Sequence, residues 1–201
     1  MLLTRSAIPR VVRLLKNSYL DLRFGGFLGG TVRSPYGHLG IDDTANTDYA
    51  VLPRIFDHRI KESDVLVDIG CGKGRVINWW LSRGLRNKMV GIELHEQVAM
   101  HTRNRLRGYP NVTVITGDAL QLLPEEGTIF YMFNPFSSPW VRALKGMLLA
   151  RLSGSENLTL LYYNPVHLDI FKSDPKWLVM ELDLHALSSY WHDLAVVRRR
   201  G

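Results

Sequence analysis

Four short clusters in this 201-residue chain carry groups that can do chemistry, and each closes an apolar run. Asp68-Ile69-Gly70-Cys71-Gly72-Lys73-Gly74 places an acid before three alternating glycines. Glu93 and Gly117-Asp118-Ala119 close the next two runs, and Asn134-Pro135-Phe136 closes a fourth. Glycine has no Cβ, so the backbone at Gly70, Gly72 and Gly74 can take left-handed angles and let a ligand lie on the peptide groups. A helix starting just after the turn aims its free N–H groups at the same spot. A carboxylate at a strand tip can accept both hydroxyls of a ribose, and an Asn side-chain oxygen can accept the N–H of an amine. The combination reads as a nucleotide-type site with a second, N–H-accepting corner beside it. Each cluster also has a plainer reading: a tight strand-to-helix turn, an acid at a strand end, an Asp capping a helix.

Spacing narrows the ligand. A dinucleotide fingerprint is G-x-G-x-x-G, with its third glycine placed for helix packing. This chain has Arg75 at that third position, which argues against a dehydrogenase. G-x-G-x-G preceded by Asp68 resembles motif I of the class I S-adenosylmethionine (SAM) methyltransferases, and most closely a group of small enzymes written much like "DIGCGKGRV". The resemblance extends to Glu93 at the motif II position, to Gly117-Asp118-Ala119 and to Asn134-Pro135-Phe136 at the motif IV position.

That resemblance implies SAM as cofactor, S-adenosylhomocysteine (SAH) as product and no metal. It implies that Gly70, Cys71, Gly72 and Gly74 carry the methionine and ribose, that Glu93 with Leu94 holds the ribose, and that Asp118 and Ala119 meet the adenine edge. A "T-x-Y" before the preceding helix reaches the methionine end in these enzymes, and Thr47 and Tyr49 match it. Asn134, Pro135 and Phe136, with Tyr49, are then the candidates for positioning the acceptor. The corner is similar to the "N-P-P-Y/F" of enzymes that methylate adenine, cytosine or glutamine nitrogens. Ser137 follows Phe136 and the second proline is missing, so the nucleic-acid and glutamine specificities do not transfer. Protein lysine methyltransferases share the turn alone.

The elements that must hold these residues follow from periodicity. Strands are expected over the apolar run from Val65 to Asp68 and over 87–93, 111–116, 128–133 and 158–163, with helices near 75–83, 95–107 and 139–152 between them. The pair 177–184 and 191–198, joined without room for a helix, reads as a closing antiparallel hairpin. The expected fold is α/β: a doubly wound, mostly parallel seven-stranded sheet with helices on both faces. The apolar stretch Val51, Leu52, Ile55 and Phe56 belongs to a helix over 49–60. Ahead of it, residues 1–48 combine a basic amphipathic helix over 8–22 with a glycine-rich connection, against a catalytic domain over 49–201. A lid or packing helix is the first reading of that segment and a membrane-surface helix a later one; a mitochondrial presequence is set aside.

Composition bounds the rest. At 46% hydrophobic and 22% charged the chain reads as an ordinary globule, and no apolar run approaches bilayer length, so an integral membrane protein is not expected. The single cysteine, Cys71, excludes an intramolecular disulfide, fits a reducing, cytoplasmic setting, and reads as a small filler in the turn. No His cluster suggests a metal; His185 and His192 flank the last hairpin as a base or as surface groups. The net charge of +6 favours an anionic partner, with much of the excess at the two ends. The acceptor expected is a nitrogen of a small molecule or protein side chain, with nucleic acid second. A non-catalytic SAM- or RNA-binding module using Trp79, Trp80 or Trp191 as stacking surfaces is the rival from another class.

Overall fold

The computed structural model describes residues 7–31, 46–133, 136–151 and 158–200. Five parallel strands form the sheet's centre and one side: β1 (Leu66–Ile69), β2 (Met89–Glu93), β3 (Val112–Thr116), β4 (Ile129–Phe133) and β5 (Thr159–Tyr163). The last two, β6 (Trp177–Leu182) and β7 (Leu194–Arg199), pair antiparallel, and β7 inserts between β5 and β6 to give the order β3-β2-β1-β4-β5-β7-β6. The strand order therefore reverses between β1 and β4, and ligands of open α/β sheets bind at the carboxyl ends beside such a reversal.

Burial explains why the central runs are apolar throughout. Every residue of β1, β2 and β5 is buried, because helices cover both faces of a parallel sheet. On one face Phe56 packs against Trp79, Trp80 and Tyr131, and α3 (Arg75–Ser82) supplies Val76 and Ile77. On the other, α6 (Ser138–Arg151) lays Val141, Leu144 and Leu148 against Phe130, Met132 and Leu160. Trp79 and Trp80 are thus core residues, which removes them as base-stacking surfaces. Trp191 is half-buried and packs against the same core.

Two helices differ from expectation. The one expected over 49–60 is a short α2 (Leu52–Phe56), with Tyr49 and Ala50 in a turn before it and Asp57 leaving helical angles after it. Another, α7 (Asp169–Lys172), gave no periodic signal because one turn is too short to carry one. Elsewhere α4 (Glu96–Leu106) falls where spacing placed it, and α5 (Ala119–Leu122) is a short helix directly after Asp118. The amphipathic N-terminal segment is α1 (Ala7–Arg23). No helix of the described residues is long and apolar enough to cross a membrane.

Candidate functional site

The glycine turn follows β1 directly, and Gly70, Gly72 and Gly74 all take positive φ, at 72°, 51° and 76°. A side chain there would be strained, and at Gly74 a Cβ would lie 2.8 Å from Thr102 Cγ2. Gly70 N–H and Cys71 N–H both donate to the Ile92 carbonyl at 2.8 and 3.0 Å, which ties the turn to the end of β2. From α4, Thr102 Oγ1 donates to the Gly72 carbonyl at 2.9 Å and Arg105 Nη2 to the Lys73 carbonyl at 2.6 Å. The turn's carbonyls are thereby drawn toward α4, while Gly70 stays exposed.

Two carboxyl groups sit against this turn. Asp68, at 2% exposure, has a buried Oδ2 with no hydrogen-bond partner. Burial, and secondly the charge of Glu93, push its pKa up to about 8. A buried polar atom left unpaired costs of order 1–3 kcal/mol, so its placement calls for a ligand or a proton. Glu93 at the tip of β2 accepts the Gly72 N–H on Oε2 and the His95 N–H on Oε1, both at 2.8 Å. Each carboxylate oxygen keeps a second lone pair, so the geometry leaves room for further donors. Leu94 is half-buried beside it.

Asp118 lies at the end of the next strand, after Gly117 with φ 140°. Its Oδ1 accepts the Leu120 N–H at 3.0 Å, capping α5, which is the plainer of the two readings of that residue. It also takes the Trp140 indole N–H at 3.4 Å. Trp140 stacks on Phe136 with ring centroids 3.4 Å apart, so Phe136 is joined to the Asp118 corner. Ala119 is buried behind them. Trp140 was not foreseen; its only signal is a position in the first turn of α6, a few residues past Phe136.

The remaining expected residues separate. Asn134 and Pro135 lie outside the described residues. Cys71 is buried, its thiol pushed well up by burial and by the charges of Asp68 and Glu93, as suits a filler. Its sulfur occupies space that a side chain on Gly91 would need, since a Cβ there would lie 2.8 Å from Sγ. Thr47 Oγ1 bonds the Tyr131 hydroxyl at 2.8 Å. The Tyr49 hydroxyl accepts from Asn78 Nδ2 at 3.0 Å, and burial raises its pKa above the usual tyrosine value. These two hydroxyls are engaged inside the protein, that of Thr47 with β4 and that of Tyr49 with α3.

A polar seam that the spacing did not reveal binds this N-terminal segment to the turn. Arg75 Nε and Nη2 donate to Asp21 Oδ1 and Oδ2 at 3.1 and 2.6 Å, both side chains buried. Lys73 Nζ donates to the carbonyls of Leu28, Gly29 and Gly30 at 3.3, 2.9 and 2.9 Å. Arg105 Nη1 reaches the Phe24 carbonyl and Asn78 Oδ1 at 2.7 and 2.8 Å. The glycine-rich connection is therefore strapped to the residue between two turn glycines.

A cavity of about 550 Å³ opens at the carboxyl end of β5, the neighbour of β4. Asn164, Asp169, Asp183, His185, His192 and Asp193 contribute to its lining. Asn164 holds a left-handed backbone there, φ 52°. Among the described residues no group of three or more His, Cys, Asp or Glu could hold a metal ion.

A family model described as "Methyltransferase domain" matches residues 66–150, the segment from β1 to α6. A tRNA (guanine-N(7)-)-methyltransferase of Brevibacillus brevis is 33% identical over 78 residues, 37% of this chain and 36% of that protein. The match thus spans about a third of the curated relative. An RNA methyltransferase from Salinibacter ruber, solved with SAH, superposes with a TM-score of 0.58 at 21% identity, covering 77% of this chain and 93% of that one. The O-methyltransferase TomG of Streptomyces achromogenes, solved with SAM, gives 0.61 at 14% identity, covering 94% and 99%. The fold is that of the SAM-dependent methyltransferases, and the relatives' names span nitrogen and oxygen acceptors.

Proposed function

We propose that this chain is a SAM-dependent methyltransferase whose acceptor is a nitrogen of a small molecule or protein side chain. One observation carries the reading: the buried, unpartnered Oδ2 of Asp68, set against three left-handed glycines at the end of the strand beside the sheet's reversal. The residues present fit the cofactor. Asp68 and the turn Gly70, Cys71, Gly72 and Gly74 would hold its methionine end, with Thr47 and Tyr49 supporting that end from behind. Glu93 with Leu94 would take the ribose hydroxyls on free lone pairs, and Asp118 and Ala119 the adenine edge, walled by Trp140. Two carboxyl groups beside one turn would also complement a cationic ligand, whose charge favours release of the Asp68 proton.

When bound, SAM supplies a methyl group already activated on a sulfonium. The protein's task is then orientation. Asn134 Oδ1 and the Pro135 backbone carbonyl would accept the acceptor's N–H bonds and turn its lone pair toward the methyl, with Phe136 closing the side. The carboxylates lining the β5 cavity support an amine-bearing acceptor, since Asp169, Asp183 and Asp193 would repel a polyphosphate chain. A nucleic-acid acceptor is the second reading, favoured by the tRNA methyltransferase similarity and the net charge of +6.

Calorimetry with SAH tests the cofactor, and absence of binding by the wild-type chain would sink the reading. A labelled-SAM screen over metabolites, proteins and mixed RNA and DNA at two salt concentrations tests the acceptor. Salt-steep nucleic-acid binding with methyl incorporation would replace the preferred acceptor by the second.

A further inference from the structure

α1 is amphipathic in the reverse sense to a packing helix. Apart from Leu20, which packs against the core, its polar residues make the inner face: Asn17 Oδ1 accepts the Tyr49 N–H, Asp21 holds Arg75, and Arg13 Nη1 donates to Asp48 Oδ2 at 3.3 Å while its guanidinium lies over the Tyr190 ring. These contacts fix the helix's rotation, so its apolar stripe cannot roll inward. Val11, Leu14, Leu15, Tyr19 and Leu22 face outward, the last three at 64%, 68% and 62% exposure. Phe27, 67% exposed, continues the apolar surface past the helix end. Scattered exposed apolar residues are ordinary; a contiguous stripe over about three helical turns marks a surface that something covers.

Charge selects the occupant. Lys16 and Arg23 are exposed beside the stripe, and the one carboxylate of α1, Asp21, is turned inward and held by Arg75. Stacking two copies through this face would set cations against cations with no carboxylate on either helix to pair them. A nucleic acid would need cations across the face where this one carries leucines. We infer that α1 lies flat on an anionic lipid surface, its apolar stripe entering the boundary between headgroups and acyl chains and Lys16 and Arg23 meeting the phosphates. The 17-residue helix is about 25 Å long and has no hydrophobic run able to span a bilayer, so the contact is peripheral. The face of α1 that carries Arg13, Asn17 and Asp21 is turned away from the lipid, which leaves the polar seam undisturbed. The inference stands apart from the methyl-transfer reading, because vesicle binding is read with neither cofactor nor acceptor.

The test is co-sedimentation of the full chain with vesicles of phosphatidylcholine alone and of phosphatidylcholine with phosphatidylglycerol. The wild-type chain is expected to sediment with the anionic vesicles, to bind neutral ones at least tenfold more weakly, and to be released by salt. The double variant Leu15→Asp/Tyr19→Asp, at exposed positions that leave the melting temperature unchanged, is expected to lose at least tenfold in binding. Lys16→Glu/Arg23→Glu is expected to erase the preference for anionic vesicles. Failure to sediment with anionic vesicles at low salt overturns the inference. So does a concentration-dependent dimer, or RNA binding, that Leu15→Asp/Tyr19→Asp abolishes without any effect on vesicles.

Discussion

Arg75 and Asp21 form a buried, two-pronged ion pair between α3 and α1, with N···O distances of 3.1 and 2.6 Å. Breaking a buried pair by removing one member leaves an unpaired charge, at about 3–5 kcal/mol. Here the chain has a way out, because α1 can detach and let water reach Arg75. Asp21→Ala is therefore expected to release α1 rather than unfold the sheet. Amide exchange should rise across Ala7–Arg23 and stay slow in β1 and β4. Unchanged exchange in α1 would show that Asn17 and Arg13 alone hold it.

Asp68 gives the ligand-free chain a pH-dependent stability. Its folded pKa of about 8 lies above that of an unfolded aspartate, so between roughly pH 4 and 8 the folded state holds a proton that the unfolded state lacks. Stability should then fall as pH rises through this window, by at most about 1.4 kcal/mol per unit from this one group. Above both values the slope vanishes. Asp68→Asn, which cannot ionise, should flatten the dependence. Denaturant midpoints at pH 5, 6, 7 and 8 check it, and parallel wild-type and variant profiles would refute the assignment.

Glu93→Ala is expected to weaken SAH binding by roughly 1–3 kcal/mol, the range for losing hydrogen bonds to a charged group. Part of that loss comes indirectly, since Glu93 also accepts the Gly72 N–H that shapes the turn. Glu93→Gln keeps an acceptor and should fall between the two. Calorimetry that returned wild-type affinity for both variants would remove Glu93 from the site.

What the sequence revealed and what it hid divide along a physical line. The turn was legible because three left-handed backbone positions demand glycine, and Asp68 and Glu93 were legible because strand tips are marked by the end of an apolar run. The sheet followed from the same runs, and the final hairpin from the short link between 184 and 191. The polar seam was not legible. Arg75 registered only as a missing glycine, and its partner Asp21 sits in a helix whose spacing advertised its leucines, not its inward Asn17 and Asp21. A helix packed by its polar face has the same periodicity as one packed by its apolar face. The matching motif implies that Tyr49 reaches the methionine end of the cofactor and the acceptor; in the structure its hydroxyl accepts from Asn78, a contact that no spacing announces.

Asn134→Ala is expected to slow turnover far more than it weakens SAH binding, because its proposed contact is to the acceptor nitrogen in the reacting geometry. Single-turnover rates and calorimetry on the same protein separate the two effects. Equal losses in both would make Asn134 a cofactor residue, and no loss in either would leave a structural turn.

The N-terminal segment is expected to act as a cover, and Lys73 is the residue through which it would sense the ligand. The ammonium group holds the Leu28, Gly29 and Gly30 carbonyls, while its backbone lies between Gly72 and Gly74 in the turn that would carry the cofactor. A ligand that stiffens the turn should therefore also slow exchange at the strap, since lid segments follow the site they close. Lys73→Met keeps much of the stem and removes the three donated bonds. In that variant SAH should still protect the turn but no longer residues 24–31, and the rate of SAH release should rise. Protection that stops at Tyr49 in the wild-type chain would leave α1 and the strap as packing alone.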